Sequence, residues 1–492
     1  MKTRNKYLSY SSVLAASFAW RSVISALVLC CVASSMNGEN WEGAELEITK
    51  VDEPPAKIFR SVSVAYSATR HGCRAAALVG NIIDGFVVRV DGKEGPRFED
   101  IREETPLFSA NGQAVAYCAQ KDGKWRWVID EVEGPAFQTL TATSFAFSAD
   151  GKRHAYVATL GFGPLNVLVL DGKIVAGGEA GKPIPWDAAP LFSPDGRRFA
   201  YVETVAGKPV MRVVLDGKPG PWNHDGGIGM RQSSGFGAVK PETGLPAKPN
   251  EFGFTFSADS KHFAYSEFVR EGRRHVIDGV PGSIYKNLGI DFALPPHGSD
   301  YAYMAYPDGQ RAIVRRTAKP LPIEALADGT LTFSPDGKHL AFVGIRGGQR
   351  AIWLDGKAHS EVKQNYHFGA PRFSPNSKRL AYPLEVQSDG TATFHWVVDG
   401  KAGPAAEHLD FDHFNFSPDS GHHCYIIPTG KRDRLSISSN VAFYSLHGIV
   451  VDGKIRATHP YILCAAFRND GSLEYLAHDE DKQLFRFRVT GY

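Results

Sequence analysis

The sequence predicts an all-β protein of the β-propeller class, and three observations carry the prediction. A phrase close to F-S-P-D-G-K-x-x-A-Y recurs along the chain. A second phrase, V-V-D-G-K, often followed by G-P, falls inside almost every copy. The interval between copies is near the roughly 40–45 residues that one four-stranded propeller blade needs.

The clearest copies of the first phrase start at Phe108, Phe147, Phe192, Phe256, Phe333, Phe373 and Phe416, and weaker ones at Tyr66, Leu294 and Phe467. Ten units therefore run from about residue 46 to the end, at spacings of 42, 39, 45, 64, 38, 39, 40, 43 and 51 residues. Each phrase encodes a hairpin. In Leu191-Phe192-Ser193-Pro194-Asp195-Gly196 an apolar strand enters a turn, where Pro sets φ and Gly takes the positive φ that follows. Phe199 to Val202 is the return strand. In Val213-Val214-Leu215-Asp216-Gly217 a β-branched strand runs into Asp-Gly, a strong hairpin signal. Two hairpins make a four-stranded antiparallel sheet that cannot bury both faces alone, so neighbours must stack, and radial stacking gives a propeller.

The chain begins with a segment that reads as an export signal over residues 1–35. Lys2, Arg4, Lys6 and Arg21 are its basic residues, Val23 to Ala33 is its apolar run, and Ala33 and Ser35 have small-x-small cleavage spacing. The alternative for this segment is an uncleaved signal anchor. Removing it takes the formal charge from +2 to −2, because it holds four basic residues and no acid. A near-neutral mature chain has no electrostatic footprint for nucleic acid. The reading therefore expects a periplasmic or extracellular protein that is not integral to a membrane after cleavage. Residues 36–45 form a linker and 46–492 the repeat array.

A strand at Ile48 to Val51, or at Lys57 to Phe59, precedes the first unit without a hairpin partner. The tail, Leu484 to Val489, is a third strand lacking its fourth. Pairing the two closes a ring and removes open edges. Ten blades exceed the usual four to eight, so the array forms either one large ring or two smaller propellers joined near 285–292. The sixth unit has Arg315 and Arg316 where the others have Asp-Gly, and the second has Asp130-Glu131. Two insertions break the period: 222–250, placed between the fourth and fifth units, and 428–446, inside the ninth. Long connections on a rigid scaffold often carry function.

The residues quoted above resemble the WD-repeat-like repeat of bacterial exported proteins of the TolB type. The match is specific at Ser193 to Gly196 and Ser334 to Lys338, and looser at Ser257 to Ser260 and Ser374 to Ser377. The resemblance covers nearly the whole chain after the signal. It implies a propeller and an extracytoplasmic interaction role, without a substrate. The D-G-K-x-G-P phrase departs from that pattern. Similar propellers precede the catalytic domain of prolyl-oligopeptidase-like serine peptidases. That domain needs a G-x-S-x-G elbow, a string missing here, and the repeats run to within a few residues of Tyr492.

Candidate chemistry is sparse. The turn aspartates Asp150, Asp195, Asp336 and Asp419 occur one per unit and read as turn residues rather than calcium ligands. The column Tyr117, Tyr156, Tyr201, Tyr265, Tyr303, Phe342, Tyr382 and Tyr425 reads as packing between blades. His408, Asp410 and Asp412 would share one face of a strand and are the best metal candidate, although plain alternation explains them too. His422-His423 reads as an exposed hairpin turn. Cys73, Cys118, Cys424 and Cys464 are either disulfide-bonded, in any of three pairings, or buried thiols. No catalytic residue and no cofactor are assigned. The leading functional reading is an exported, non-catalytic scaffold that binds a protein or envelope component. The alternatives are a polysaccharide-active enzyme with its site at the central channel, and a structural spacer.

Overall fold

The computed structural model describes residues 41 and 44–492, apart from 52–63, 82, 141–143, 162–164, 179–183, 186–189, 206–207, 225–227, 229–253, 362–368, 389–390, 410–413, 438–439 and 480–482. The signal segment 1–35 lies outside the described residues.

Each repeat folds as one antiparallel sheet. In the fourth, Leu191–Phe192, Phe199–Val205, Lys208–Leu215 and Lys218–Pro219 pair in chain order. Ten such sheets follow one another at 64–98, 100–133, 139–177, 191–219, 228–281, 288–322, 325–361, 372–402, 415–459 and 461–490. We number them blades 1 to 10.

The tenth blade has three strands from the C-terminal end and takes its fourth from the N-terminal side. Glu45–Val51 pairs antiparallel with Leu484–Thr490, in register from Glu45 opposite Thr490 to Val51 opposite Leu484. Of the two strands expected to supply this closure, Ile48 to Val51 does so; Lys57 to Phe59 lies outside the described residues.

The blades form a single ring. Asn111 Nδ2 donates to the Asp150 carbonyl between blades 2 and 3, and the Asp259 N–H donates to the Pro296 carbonyl between blades 5 and 6. Equivalent bonds continue through Asp336, Asn376 and Asn415 to blade 10. There the Cys73 N–H of blade 1 donates to Glu474 Oε1 of blade 10 at 2.6 Å, across 401 residues of chain. The chain crosses 285–292 without a break in this circuit, since Tyr285 bridges to Arg273 of blade 5 and Leu288–Ala293 opens blade 6.

The core lies between blades. On the second strand of blade 2, Val115, Tyr117 and Ala119 pack against Ala76, Leu78 and Val88 of blade 1. The intervening Ala116 and Cys118 pack against Tyr156 and Ala158 of blade 3. Period-two alternation therefore gives two apolar faces, each covered by a neighbour.

In blades 2, 3 and 7 the innermost strand is split. Blade 2 pairs Ile101 with Ala119 and Leu107 with Ala116, and a Thr plugs the gap: Thr105 Oγ1 accepts from the Cys118 N–H. Blade 5 has the same two contacts, Ile228 with Glu267 and Thr255 with Ala264. The insertion starting at 222 therefore does not sit between two units. Asn223 still pairs with Met211 of blade 4 and Ile228 already pairs within blade 5, while residues 229–253 lie outside the described residues. The reason sequence misplaced it is that one paired residue, Ile228, carries no strand pattern.

The second insertion is not a loop. Blade 9 extends its middle strands to His423–Ile437 and Asn440–Val451, against lengths of 4 to 10 residues for the matching strands elsewhere. Beyond a register shift after Pro428, Arg432 pairs with Ser445 and the ladder runs out to Ile437 opposite Asn440. This is a two-stranded arm.

Candidate interaction surfaces

Antiparallel order puts the first and third turns of every blade on one face of the ring, and the second turn and the blade-to-blade connections on the other. The two faces differ in chemistry.

On the first face the F-S-P-D-G turns satisfy themselves. The serine of each F-S-P-D-G phrase is buried, as at Ser193 and Ser334. Ser334 Oγ donates to Asp336 Oδ1 at 2.6 Å and accepts the His339 N–H, while the Lys338 N–H reaches the same carboxylate. The Ser334 hydroxyl bond outweighs burial and holds Asp336 below the usual carboxylate range. Asp150, Asp195 and Asp419 make the same bonds. These carboxylates serve their own turns, as local Asx-type bonding explains.

The aspartate of the Asp-Gly turn has a different task. Asp399 sits at φ 51°, accepts the Leu380 N–H on Oδ1, and pairs through Oδ2 with Arg379 Nε at 2.7 Å. Arg379 then reaches across to the Ser420 and Gly421 carbonyls of blade 9 and lies over the Phe416 ring at 5.3 Å. Arg74, Arg153 and Arg198 repeat this bridge from blades 1, 3 and 4. Histidines replace the arginine at His262, His339 and His422. Blade 6 has lost the Asp-Gly turn but swaps the pair: Asp300 stands in the cation's place and Arg315 answers it at 2.6 Å, still over the next ring, Phe333, at 5.4 Å. In blade 10 Ser472 stands in the cation's place, and Arg488 pairs with the first-turn Asp470 at 2.6 Å. Blade 2 alone has Ala114 at the cation's position.

The final Gly of D-G-K-x-G-P also has a packing reason. A Cβ on Gly403 would lie 2.0 Å from Tyr425 Oη of the next blade, and Tyr117 and Tyr156 lie beneath Gly95 and Gly134. The aromatic column is buried at Tyr117, Tyr156, Tyr201, Tyr303, Phe342, Tyr382 and Tyr425, and half-buried at Tyr265. Its rings pack on the preceding blade, as Tyr156 on Trp127 and Tyr303 on His275 do.

Other candidates fall as follows. His408 is exposed in a bend before blade 9, not on a strand, and Asp410 and Asp412 lie outside the described residues. Among the described residues no group of three His, Cys, Asp or Glu is placed to hold a metal ion. His422 is half exposed, but His423 is buried, correcting the expectation of an exposed pair. It opens a strand, and its Nδ1 lies 3.3 Å from Asp452 Oδ1. The four cysteines are free and buried. Burial pushes the Cys118 thiol up to about 12.

On the second face, sequence reasoning missed two ion pairs beside the blade 5 insertion. Glu203 holds Arg212 at 2.6 Å, and Arg212 lies over Trp222 at 4.3 Å; Glu267, buried, holds Arg274. Only the second-strand position of these glutamates hinted at them, and a charged residue in an apolar strand has no local motif. The arm belongs to this face.

The fold and these surfaces define a ten-bladed β-propeller with one uniform and one elaborated face. No helix among the described residues is long and apolar enough to cross a membrane. No family model matches the chain, and no curated protein matches it. Similar solved structures include a eukaryotic initiation factor, at 12% identity over 78% of this chain and 96% of that chain, with TM-score 0.41. TolB from Acinetobacter baumannii follows at 13%, 76%, 79% and 0.27, and Porphyromonas gingivalis dipeptidyl peptidase 4 at 11%, 77%, 64% and 0.36. At such identities the likeness concerns fold alone.

Proposed function

We propose that the protein is an exported binding scaffold that engages a protein or envelope component through the face carrying the blade 9 arm. The observation that supports this is the asymmetry of the ring. One face repeats the same self-satisfied turns, while the other carries a ribbon, His423–Ile437 with Asn440–Val451, that outruns every other hairpin. A two-stranded ribbon is at best marginally stable in water by itself, so a partner that covers it explains its length. The residue 1–35 segment supports export, and N-terminal sequencing of the mature protein checks cleavage after Ser35.

The test replaces 430–445 by an Asn-Gly turn and compares full-length and arm-less protein, at matched thermal stability, for capture of purified envelope components. Loss of one component with the arm supports the reading. Identical capture by both proteins, or hydrolysis of an envelope polysaccharide by both, overturns it.

A further inference from the structure

The blade-to-blade bridge on the uniform face has four parts: an aspartate from the third turn, a cation, two carbonyls of the next blade, and that blade's first-strand phenylalanine. Blade 2 keeps every part except the cation. Asp130 Oδ1 accepts the Val115 N–H at 2.9 Å, as its counterparts do. Among the described residues no hydrogen bond or ion pair reaches Asp130 Oδ2. The residue that faces it in the repeat is Ala114, which is buried. In the next blade, Gly151 and Lys152 occupy the positions whose carbonyls take the arginine in blade 2 (Gly112 and Gln113), blade 5 (Ser260 and Lys261) and blade 9 (Ser420 and Gly421). Among the described residues no donor reaches either carbonyl in blade 3. Phe147 stands where Phe108, Phe192, Phe256, Phe333 and Phe416 each carry an arginine at 5.2–5.4 Å. It carries none.

The missing side chain leaves space. An open groove of about 640 Å³ lies between blades 2 and 3 and is lined by Ala114, Asp130, Gly151, Lys152, His154 and Tyr156. That volume suits a ligand much larger than a guanidinium. Glu133, already paired with Lys121 and Arg126, and Asp171, paired with Arg153, also line it, and the exposed Val132 adds an apolar edge.

We propose that this groove is a docking site for an arginine-bearing segment of a partner polypeptide, whose guanidinium pairs with Asp130. The other blades supply the template. Arg74, Arg153, Arg198 and Arg379 fill the equivalent socket from within the chain, and they do so with the fork of N–H groups that a lysine lacks. The site lies on the opposite face from the arm and stands independently of the function proposed above.

The test uses acetyl-Gly-Arg-Gly-amide and its lysine and citrulline counterparts, titrated into the full-length protein, with crystals soaked in the arginine peptide. The arginine peptide is expected to bind about ten-fold or more tightly than either counterpart, since only it combines charge with a planar fork. Ala114→Arg fills the socket from within, so it is expected to remove that binding and to raise the thermal midpoint. Its own crystal structure should place the new guanidinium against Asp130. Equal affinity for the three peptides, undiminished binding to the A114R protein, or no arginine-peptide binding to the natural protein each overturns the proposal. Asp130→Asn, which keeps the Val115 bond, should weaken binding without unfolding the blade.

Discussion

Gly403 and Tyr425 show why single residues recur in this chain. The glycine lies where the next blade's tyrosine needs room, so Gly403→Ala is expected to cost about 1–3 kcal/mol, the usual penalty for overpacking. Tyr425→Phe should recover part of that loss in the double variant, because the ring edge then stands 3.3 Å from the new methyl. Alone, Tyr425→Phe is expected to stabilise by about 1 kcal/mol, since the buried Tyr425 hydroxyl has no hydrogen-bond partner among the described residues. Chemical denaturation of the three variants checks the set. His275 gives the pH response. Burial against Phe292 and Tyr303 lowers its pKa to about 3, so it stays neutral in the native ring. The unfolded chain takes up the proton near pH 6.5 and the native one does not, so stability falls as pH drops from 6.5 towards 3. His275 is expected to contribute about 1.4 kcal/mol per pH unit to that slope. His459, lowered to about 4, contributes in the same sense above that pH. His275→Phe should flatten the slope between pH 6.5 and 5; an unchanged slope would mean that other groups set it.

The hairpin is the element that sequence reveals best, and its role in joining blades is what sequence conceals. Asp-Gly predicts a tight turn at Asp399, and the positive φ there confirms the local rule. Nothing local says that the same carboxylate holds Arg379, or that Arg379 crosses to blade 9. Asp399→Asn keeps the left-handed turn and the Leu380 bond but gives up the ion pair. It is expected to cost about 1 kcal/mol or less, because the pair is partly exposed, with 24% and 41% of the two side chains accessible. Asp399→Ala loses the turn geometry and the N–H acceptor too, and should cost more. Equal losses in both variants would show that the ion pair carries the whole effect. Of the candidate surfaces, the arm's position was legible from the broken period, but its ribbon form was not, since a broken period alone reads as a long connection. The blade 2 socket was visible only as an unusual Asp130-Glu131 step. Its meaning needed the other blades' arginines to be seen in place.

At the scale of the whole molecule, the ring depends on one seam. Glu45–Val51 covers the edge of Leu484–Thr490, and Glu474, buried, receives both the Cys73 N–H and Arg468. Removing residues 45–51 exposes a seven-residue strand edge. The truncated protein is expected to melt at lower temperature and to self-associate through that edge, which sedimentation velocity would detect. A truncated protein that stayed monomeric and equally stable would show that the seam is held by blade packing alone. Electron microscopy end-on views should show one ring with ten lobes; two separate rings would contradict the closure described here.

The sequence by itself determined the blades, because strand alternation, Pro-Asp-Gly and Asp-Gly turns act within a few residues of one another. It also determined that the ends close the ring, since an unpaired strand at each end has one economical partner, but left two N-terminal strands to choose from. Only the tertiary structure decided that ten blades make one circle, where the blade 5 insertion leaves its strand, and which carboxylates are spoken for. Those outcomes depend on contacts between residues forty or four hundred positions apart, whose energies belong to the packed ring and to no local stretch of chain.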